Sequence, residues 1–377
     1  MHTRVRICGV AVVSMLAAAL VPVAARAEDG ARAAAPAIRA AEVRSSYETA
    51  DRVLSRDIGA SVKLPDGHDL WLFGDTSVYA LHSKNAWVQT GFIDGNTALE
   101  GKTVRGQVPR GGEYPSGKPA RFIPDPNNVY LTDGSGRACL KGNGHAAFSA
   151  RWPSGAAVMA SNTSEVLVTY SEVCVTVPPS GNPAVRAEGW GYMLYNWRTR
   201  HIAVGPIDVF KPQRNGAALD GSHIFGWPVF IDGRLTMFSS SCTAQYLTCG
   251  GGHVWSVSTS TLSDPNSYNP KPMTIAGSAT TWQPMSISVG QYPHELRMVE
   301  TTTIGGDYKI FSTPTLGKPW RLVQSGVLPD CAPNSVGYCH GVESHPELST
   351  PTAMFISYKD PSSGPGGHMV ISAIPYP

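Results

Sequence analysis

The chain has 377 residues, with 30 basic and 28 acidic side chains and a formal net charge of +2. Charged residues make up only 15% of it, while 39 glycines and 30 prolines punctuate it, a texture of short strands and tight turns rather than of helices. That balance of charge excludes a nucleic-acid or anionic-membrane surface as the basis of function, since either needs a basic face. A neutral polar ligand such as a sugar fits better.

Residues 1–27 read as a cleaved secretory signal. Arg4 and Arg6 give a positive start, Ile7 to Val23 is apolar, and Ala25-Arg26-Ala27 gives the small-x-small cleavage pattern. Its removal takes three arginines and no acid, leaving a mature chain near about −1. No later stretch is apolar enough to cross a bilayer, so a secreted, extracellular monomer is expected, with no membrane contact after cleavage. Residues 28–46 are predicted to be an Ala-rich spacer, and 47–377 a single domain. Cys8 leaves with the signal. Cys139, Cys174, Cys242, Cys249, Cys331 and Cys339 then read as three disulfides. Proximity favours 139–174, 242–249 and 331–339, and no C-x-x-C spacing supports zinc.

Along the domain, an inner-looking strand followed by a turn and a second strand recurs five times. The first unit runs Asp57-Ile58-Gly59-Ala60-Ser61-Val62, turns at Pro65-Asp66-Gly67 and continues through Leu70-Trp71-Leu72-Phe73. Between it and the second unit, Leu81 to Gly144 must hold a large loop excursion. The later units open at Arg151-Trp152-Pro153, Gly226-Trp227-Pro228, Trp282-Gln283-Pro284 and Ser344-His345-Pro346, each followed by apolar runs such as Val166–Tyr170 and Phe355–Tyr358. About four strands per unit, repeated radially, predict an all-β, five-bladed β-propeller. In such a fold the first residues of the innermost strands converge on one mouth. The expected set is Asp57, Trp152, Trp227, Gln283 and His345, an acid, two indoles, an amide and an imidazole suited to a polysaccharide.

Two carboxylates beside one sugar bond are the equipment of most glycosidases. Asp57 enters the innermost strand and Asp75 leaves its antiparallel neighbour, which returns to the same end. Asp75 follows Trp71-Leu72-Phe73, where burial would perturb its proton affinity. Glu172, ending the equivalent strand of the second unit, is a third candidate acid. Asn96, in Asp94-Gly95-Asn96-Thr97, is placed to donate to a sugar hydroxyl, and Glu347 stands beside His345. No cofactor is required by these residues, although His345 could help hold a central structural ion.

At Leu70-Trp71-Leu72-Phe73-Gly74-Asp75-Thr76 the sequence resembles the family catalogued as domain of unknown function 4185, associated with endo-D-arabinanases. Asp57-Ile58-Gly59, Gly95-Asn96-Thr97, His345-Pro346-Glu347-Leu348-Ser349 and Ile356-Ser357-Tyr358 extend the resemblance over most of the mature chain. It implies a five-bladed glycoside hydrolase acting on the arabinan of actinobacterial cell walls, with Asp57 and Asp75 as the catalytic carboxylates. The alternative is a non-catalytic carbohydrate-binding or cell-surface propeller. A sialidase-like enzyme would want clustered arginines, and the unit openings offer only Arg151.

Overall fold

The computed structural model describes residues 38–376, apart from 85, 108–109, 127–137, 142–146, 177–183, 211–222, 243–248, 277–285, 302–304 and 332–338. The fold is all-β. Strands β1 (Ile38–Glu42) and β2 (Arg52–Arg56) lead into β3 (Ala60–Lys63), β4 (His68–Phe73), the hairpin β5 (Thr76–Ser83) and β6 (Ala86–Ile93), then β7 (Thr97–Lys102) and β8 (Gly112–Tyr114). Next come β9 (Leu140–Lys141), β10 (Ala147–Val158), β11 (Glu165–Thr176), β12 (Ala184–Asn196) and β13 (His201–Phe210). A third group is β14 (His223–Ile231), β15 (Arg234–Cys242), β16 (Cys249–Ser258) and β17 (Asn269–Pro272), with two single-turn 3-10 helices before β17. Strands β18 (Ser286–Tyr292), β19 (Glu295–Thr301), β20 (Asp307–Thr313) and β21 (Arg321–Val327) precede β22 (His340–Ser344), β23 (Ala353–Asp360) and β24 (His368–Pro375).

These strands form five larger sheets in chain order: β3-β4-β7-β8, β9 to β13, β14 to β17, β18 to β21, and β22-β23-β24-β1. A sixth sheet, β2-β5-β6, stands apart from that series. Strand β4 shows why the sheets stack side against side. Its run Asp69–Phe73 is fully buried, the mark of a strand covered on both faces. Side chains alternate across a strand, so Leu70 and Leu72 join Val166, Val168 and Tyr170 of the second sheet. Trp71 and Phe73 join Phe355, Met369 and Ile371 of the fifth. The pattern repeats around the molecule. Leu167 and Trp190 meet Leu235 and Met237 between the second and third sheets, Phe238 meets Met298 and Phe311 between the third and fourth, and Val299 and Tyr308 meet Ile356 and Tyr358 between the fourth and fifth. Each larger sheet thus packs on the next, and the fifth packs back on the first.

Two features differ from the sequence expectation. Within the expected spacer 28–46, Ile38–Glu42 is the outer strand of the fifth sheet, with Ile38 opposite Ala373 and Glu42 opposite Val370. The stretch from Leu81 expected to be a loop excursion contains strands: β5 and β6 pair with each other and with β2, while β7 and β8 complete the first sheet. The small sheet is fastened by a buried ion pair from Arg56 on β2 to Glu113 on β8, with the guanidinium carbon 4.3 Å above the Phe73 ring. Disulfides join Cys139 to Cys174 and Cys331 to Cys339, each with a Cα separation of 5.8 Å. Cys242 and Cys249 oppose each other in the β15–β16 ladder, and their side chains lie outside the described residues.

Candidate active site

Asp57 lies just before β3, where Ile58 adopts φ 58°, an uncommon conformation for a β-branched residue. That kink turns the chain, and the backbone of Asp57 pairs with the exit of β4. Its N–H donates to the Asp75 carbonyl at 3.1 Å, and its own carbonyl accepts from Gly74 N–H at 2.5 Å. The two aspartates therefore share one end of the first sheet. The fifth sheet closes on the same point: Gly341, at φ 64°, lies against the Ile58 backbone, where a Cβ would sit 3.2 Å from Ile58 N and Cα.

The environments of the two carboxylates are opposed. Asp57 is one-third exposed, and its Oδ1 accepts from Lys359 Nζ at 2.5 Å, with His340 Nε2 3.6 Å away. Burial opposes ionisation, but the Lys359 ammonium and His340 outweigh it and hold Asp57 well below the usual carboxylate range. Asp75 Oδ1 accepts from Gly95 N–H at 2.6 Å and from Trp152 Nε1 at 3.2 Å. Burial, and then the negative charge of Asp57, push Asp75 up to about 7 against those two hydrogen bonds. Near neutrality this end of the molecule holds one anionic carboxylate beside one able to carry a proton.

The remaining sequence-predicted residues separate clearly. Trp152 is at the site, half-buried and bonded to Asp75. Asn96 is not available to a sugar. It is buried, its Nδ2 donates to the Ile123 and Arg151 carbonyls, and its Oδ1 accepts from Phe122 and Ile123 N–H. It braces the strand beside Gly95 instead. Glu172 is fully buried beneath Arg151, whose Nε and Nη2 lie 2.9 and 2.8 Å from its Oε1. Burial and the neighbouring charge of Asp208 push its carboxyl upward, but it is enclosed and paired with Arg151, not with Asp57 or Asp75. Trp227 lies in β14 with its side chain outside the described residues, and Gln283 lies outside them altogether.

His345 is a correction of register. The fifth sheet pairs His340 with Lys359, so His340, not His345, stands level with Asp57. His345 lies five residues further on, fully buried, stacked on Trp71 at 4.6 Å and 2.7 Å from Ser61 Oγ. Glu347 also accepts from Ser61 Oγ and lies 3.3 Å from His345 Nδ1. Neither touches the aspartate pair. The misalignment has a cause: Pro153 and Pro228 sit at bulges inside their inner strands, whereas Pro346 follows the end of its strand. Lys359 was findable, because it lies in the last two residues of the second strand of the last unit, as Asp75 follows that of the first. His340 carried the weaker signal of following Cys339, whose disulfide fixes the entry to β22.

As for metals, among the described residues Asp66, His68 and Glu100 bring one ligand atom each within 4.8 Å of one another. They lie at the opposite end of β4 from Asp75, and Arg200 Nη2 is 3.5 Å from Glu100. They do not belong to the aspartate site.

No family model matches the chain, the family resembled at Leu70–Thr76 included, and no curated protein matches it in sequence. Solved structures do. A Bacteroides ovatus protein described provisionally as a hydrolase superposes with a TM-score of 0.53 at 14% identity, over 85% of each chain. A family 117 glycoside hydrolase of Zobellia galactanivorans gives 0.49 at 10% identity over 90% of each. A Penicillium chrysogenum α-L-arabinanase gives 0.42 at 10% identity, over 91% of this chain and 99% of that one. The first of these likenesses bears on the fold, and the other two fall below the level at which a shared fold is argued.

Proposed function

We propose that the protein is a secreted glycoside hydrolase with a five-bladed propeller fold, each larger sheet a blade and β1 completing the last. The substrate class we assign is a furanoside-rich polysaccharide, the D-arabinan of actinobacterial cell-wall arabinogalactan, cut within the chain. The observation that carries the activity is the adjacency of Asp57 and Asp75 with opposed ionisation. Asp75, protonated near neutral pH, would donate its proton to the leaving glycosidic oxygen as that bond breaks. Asp57, held anionic by Lys359, would act on the anomeric carbon directly or through a water. The Trp152 indole steadies the acid and offers a ring face to a sugar. The substrate rests on the motif resemblance, and export rests on the leader pattern and on disulfides that persist in oxidising compartments.

One observation favours a second reading. The Lys359–Asp57 ion pair is also what a purely structural carboxylate would make, leaving a carbohydrate-binding propeller without catalysis. Incubation of the purified protein with arabinogalactan, with release of oligosaccharides followed chromatographically, separates the two. Products from wild type that vanish in Asp57→Asn and Asp75→Asn support the hydrolase. Retention of the polymer without products leaves the binding protein, and products undiminished in both variants remove the site.

A further inference from the structure

The hairpin β5–β6 leaves the first sheet at Asp75 and returns to it through Asp94 and Gly95, so both of its roots adjoin the residue assigned as the acid. Ladder register divides the β2-β5-β6 sheet into two faces, since cross-strand partners point the same way. Arg56 and Thr76 lie on one of them. That face backs onto the first sheet, with Arg56 over Phe73 and Thr76 Oγ1 2.8 Å from Thr97 Oγ1. The opposite face carries Ser77, Tyr79 and Leu81 of β5 and Trp87, Gln89 and Phe92 of β6.

The neighbours of this second face locate it beside the mouth. On one side Ser55 Oγ donates to the Gly366 carbonyl at 2.7 Å, and the Tyr79 ring lies against Gly366 in the fifth sheet's last turn. On the other side Phe92 packs with Phe148, Ala150 and Trp152 of the second sheet. Trp152 is the indole bonded to Asp75. The face therefore spans the gap between the two sheets that flank the aspartates. Its outer half, with Leu81 38% exposed, Trp87 half-buried and Gln89 exposed, extends past both contacts.

We propose that this face is an accessory glycan-binding wall, along which an uncharged polysaccharide chain held between Asp57 and Asp75 continues. The inference rests on the hydrolase reading and adds where the rest of the polymer lies. None of the six side chains is charged, which suits a neutral chain and no ionic partner. Apolar Leu81 and Trp87 would support sugar ring faces, while Gln89, whose Nε2 donates to Ser77 Oγ at 3.2 Å, lies beside them to meet hydroxyls. The outer half of a strand of eight residues reaches about 13 Å, enough for about two sugar rings. Long chains are thereby favoured over short ones.

The test compares arabinan polymer with the shortest arabino-oligosaccharide that wild type cuts. Trp87→Ala is expected to lower kcat/KM on the polymer about tenfold, mainly through KM, and to leave the short substrate unchanged. Gln89→Ala should act in the same direction and more weakly, a check should Trp87→Ala melt early. Val88→Ala, on the opposite face and 47% exposed, should change neither. Retention of polymer by the Asp75→Asn protein should fall when Trp87→Ala is added. If Trp87→Ala and Gln89→Ala leave the polymer rate intact, or lower long and short substrates equally, the wall is refuted while the hydrolase stands. A wild-type protein that neither cuts nor retains arabinan overturns both.

Discussion

Two groups of carboxylates lie along β3 and β4, and they differ in exposure and in the cation beside them. At one end Asp57 and Asp75 are both partly exposed, one held as an anion by Lys359 and the other biased toward its protonated form. Toward the other end Asp69, Glu347 and His345 are enclosed, with Asp69 and His345 fully buried. Asp69 accepts from Thr103, and burial followed by the charge of Glu347 pushes it up to about 7. An acid with a shifted proton affinity is thus present in both places. What separates a candidate site from a structural cluster is access, together with a cation that forces the two acids into different states.

The largest expected contrast is in turnover. Asp57→Asn and Asp75→Asn should each lower arabinan hydrolysis by about 10²–10⁴-fold, the range of a lost acid or base. Asp69→Asn and Glu347→Gln should stay within about threefold of wild type. Product release under identical conditions gives the comparison, and an equal loss at the enclosed cluster would erase the distinction.

A smaller effect follows from removing the cation. Lys359→Met keeps most of the packing but not the ammonium. The acidic limb of the pH profile of kcat/KM should then move upward by about 1–3 units, as Asp57 loses its opposite charge. A limb that stays in place would mean that Lys359 does not set the ionisation of Asp57.

The enclosed cluster should show itself in stability instead. A carboxyl whose folded value is raised costs nothing below its unfolded pKa of about 4, and its full penalty is felt above its folded value. For Asp69 that window runs from about 4 to about 7. Asp69→Asn should therefore melt a few degrees above wild type at about pH 8 and converge with it near about pH 4. A melting difference that does not depend on pH would contradict the assignment. The smallest effect is expected of His340→Gln, which keeps a polar group near Asp57. A change of about two- to threefold in kcat/KM is anticipated, and a loss as large as that of Asp57→Asn would give His340 a greater part than orientation.

Much of this arrangement was legible beforehand. The run Leu70–Phe73 was readable as the second strand of the first unit, and antiparallel return was enough to bring Asp75 back to the end of the strand that Asp57 enters. Hydrophobic periodicity carries that kind of information. It does not carry register, because proline marks a bulge in β10 and β14 but the end of a strand in β22, and matching on proline displaced the last unit from His340 to His345. Nor does residue type reveal saturation. Asn96 reads as a free amide until its four backbone hydrogen bonds, to residues of two separate segments, are in place. Strand β1 was hidden for a related reason: its partner β24 lies at the far end of the chain, beyond any local pattern.

The pairing of β1 with β24 also imposes an order of events. Strand β1 must wait for β24, more than 300 residues later, before its hydrogen bonds can form, so the fifth sheet cannot close until β24 has been made. The same holds for the ion pair at Asp57, whose partner Lys359 is 302 positions away. Contacts of such span come late and slowly. Until then β24 presents an unpaired edge, and the two aspartates lack the charge that distinguishes them. A chain truncated before Lys359 could fold several of its sheets and still lack the ion pair that sets Asp57 apart from Asp75.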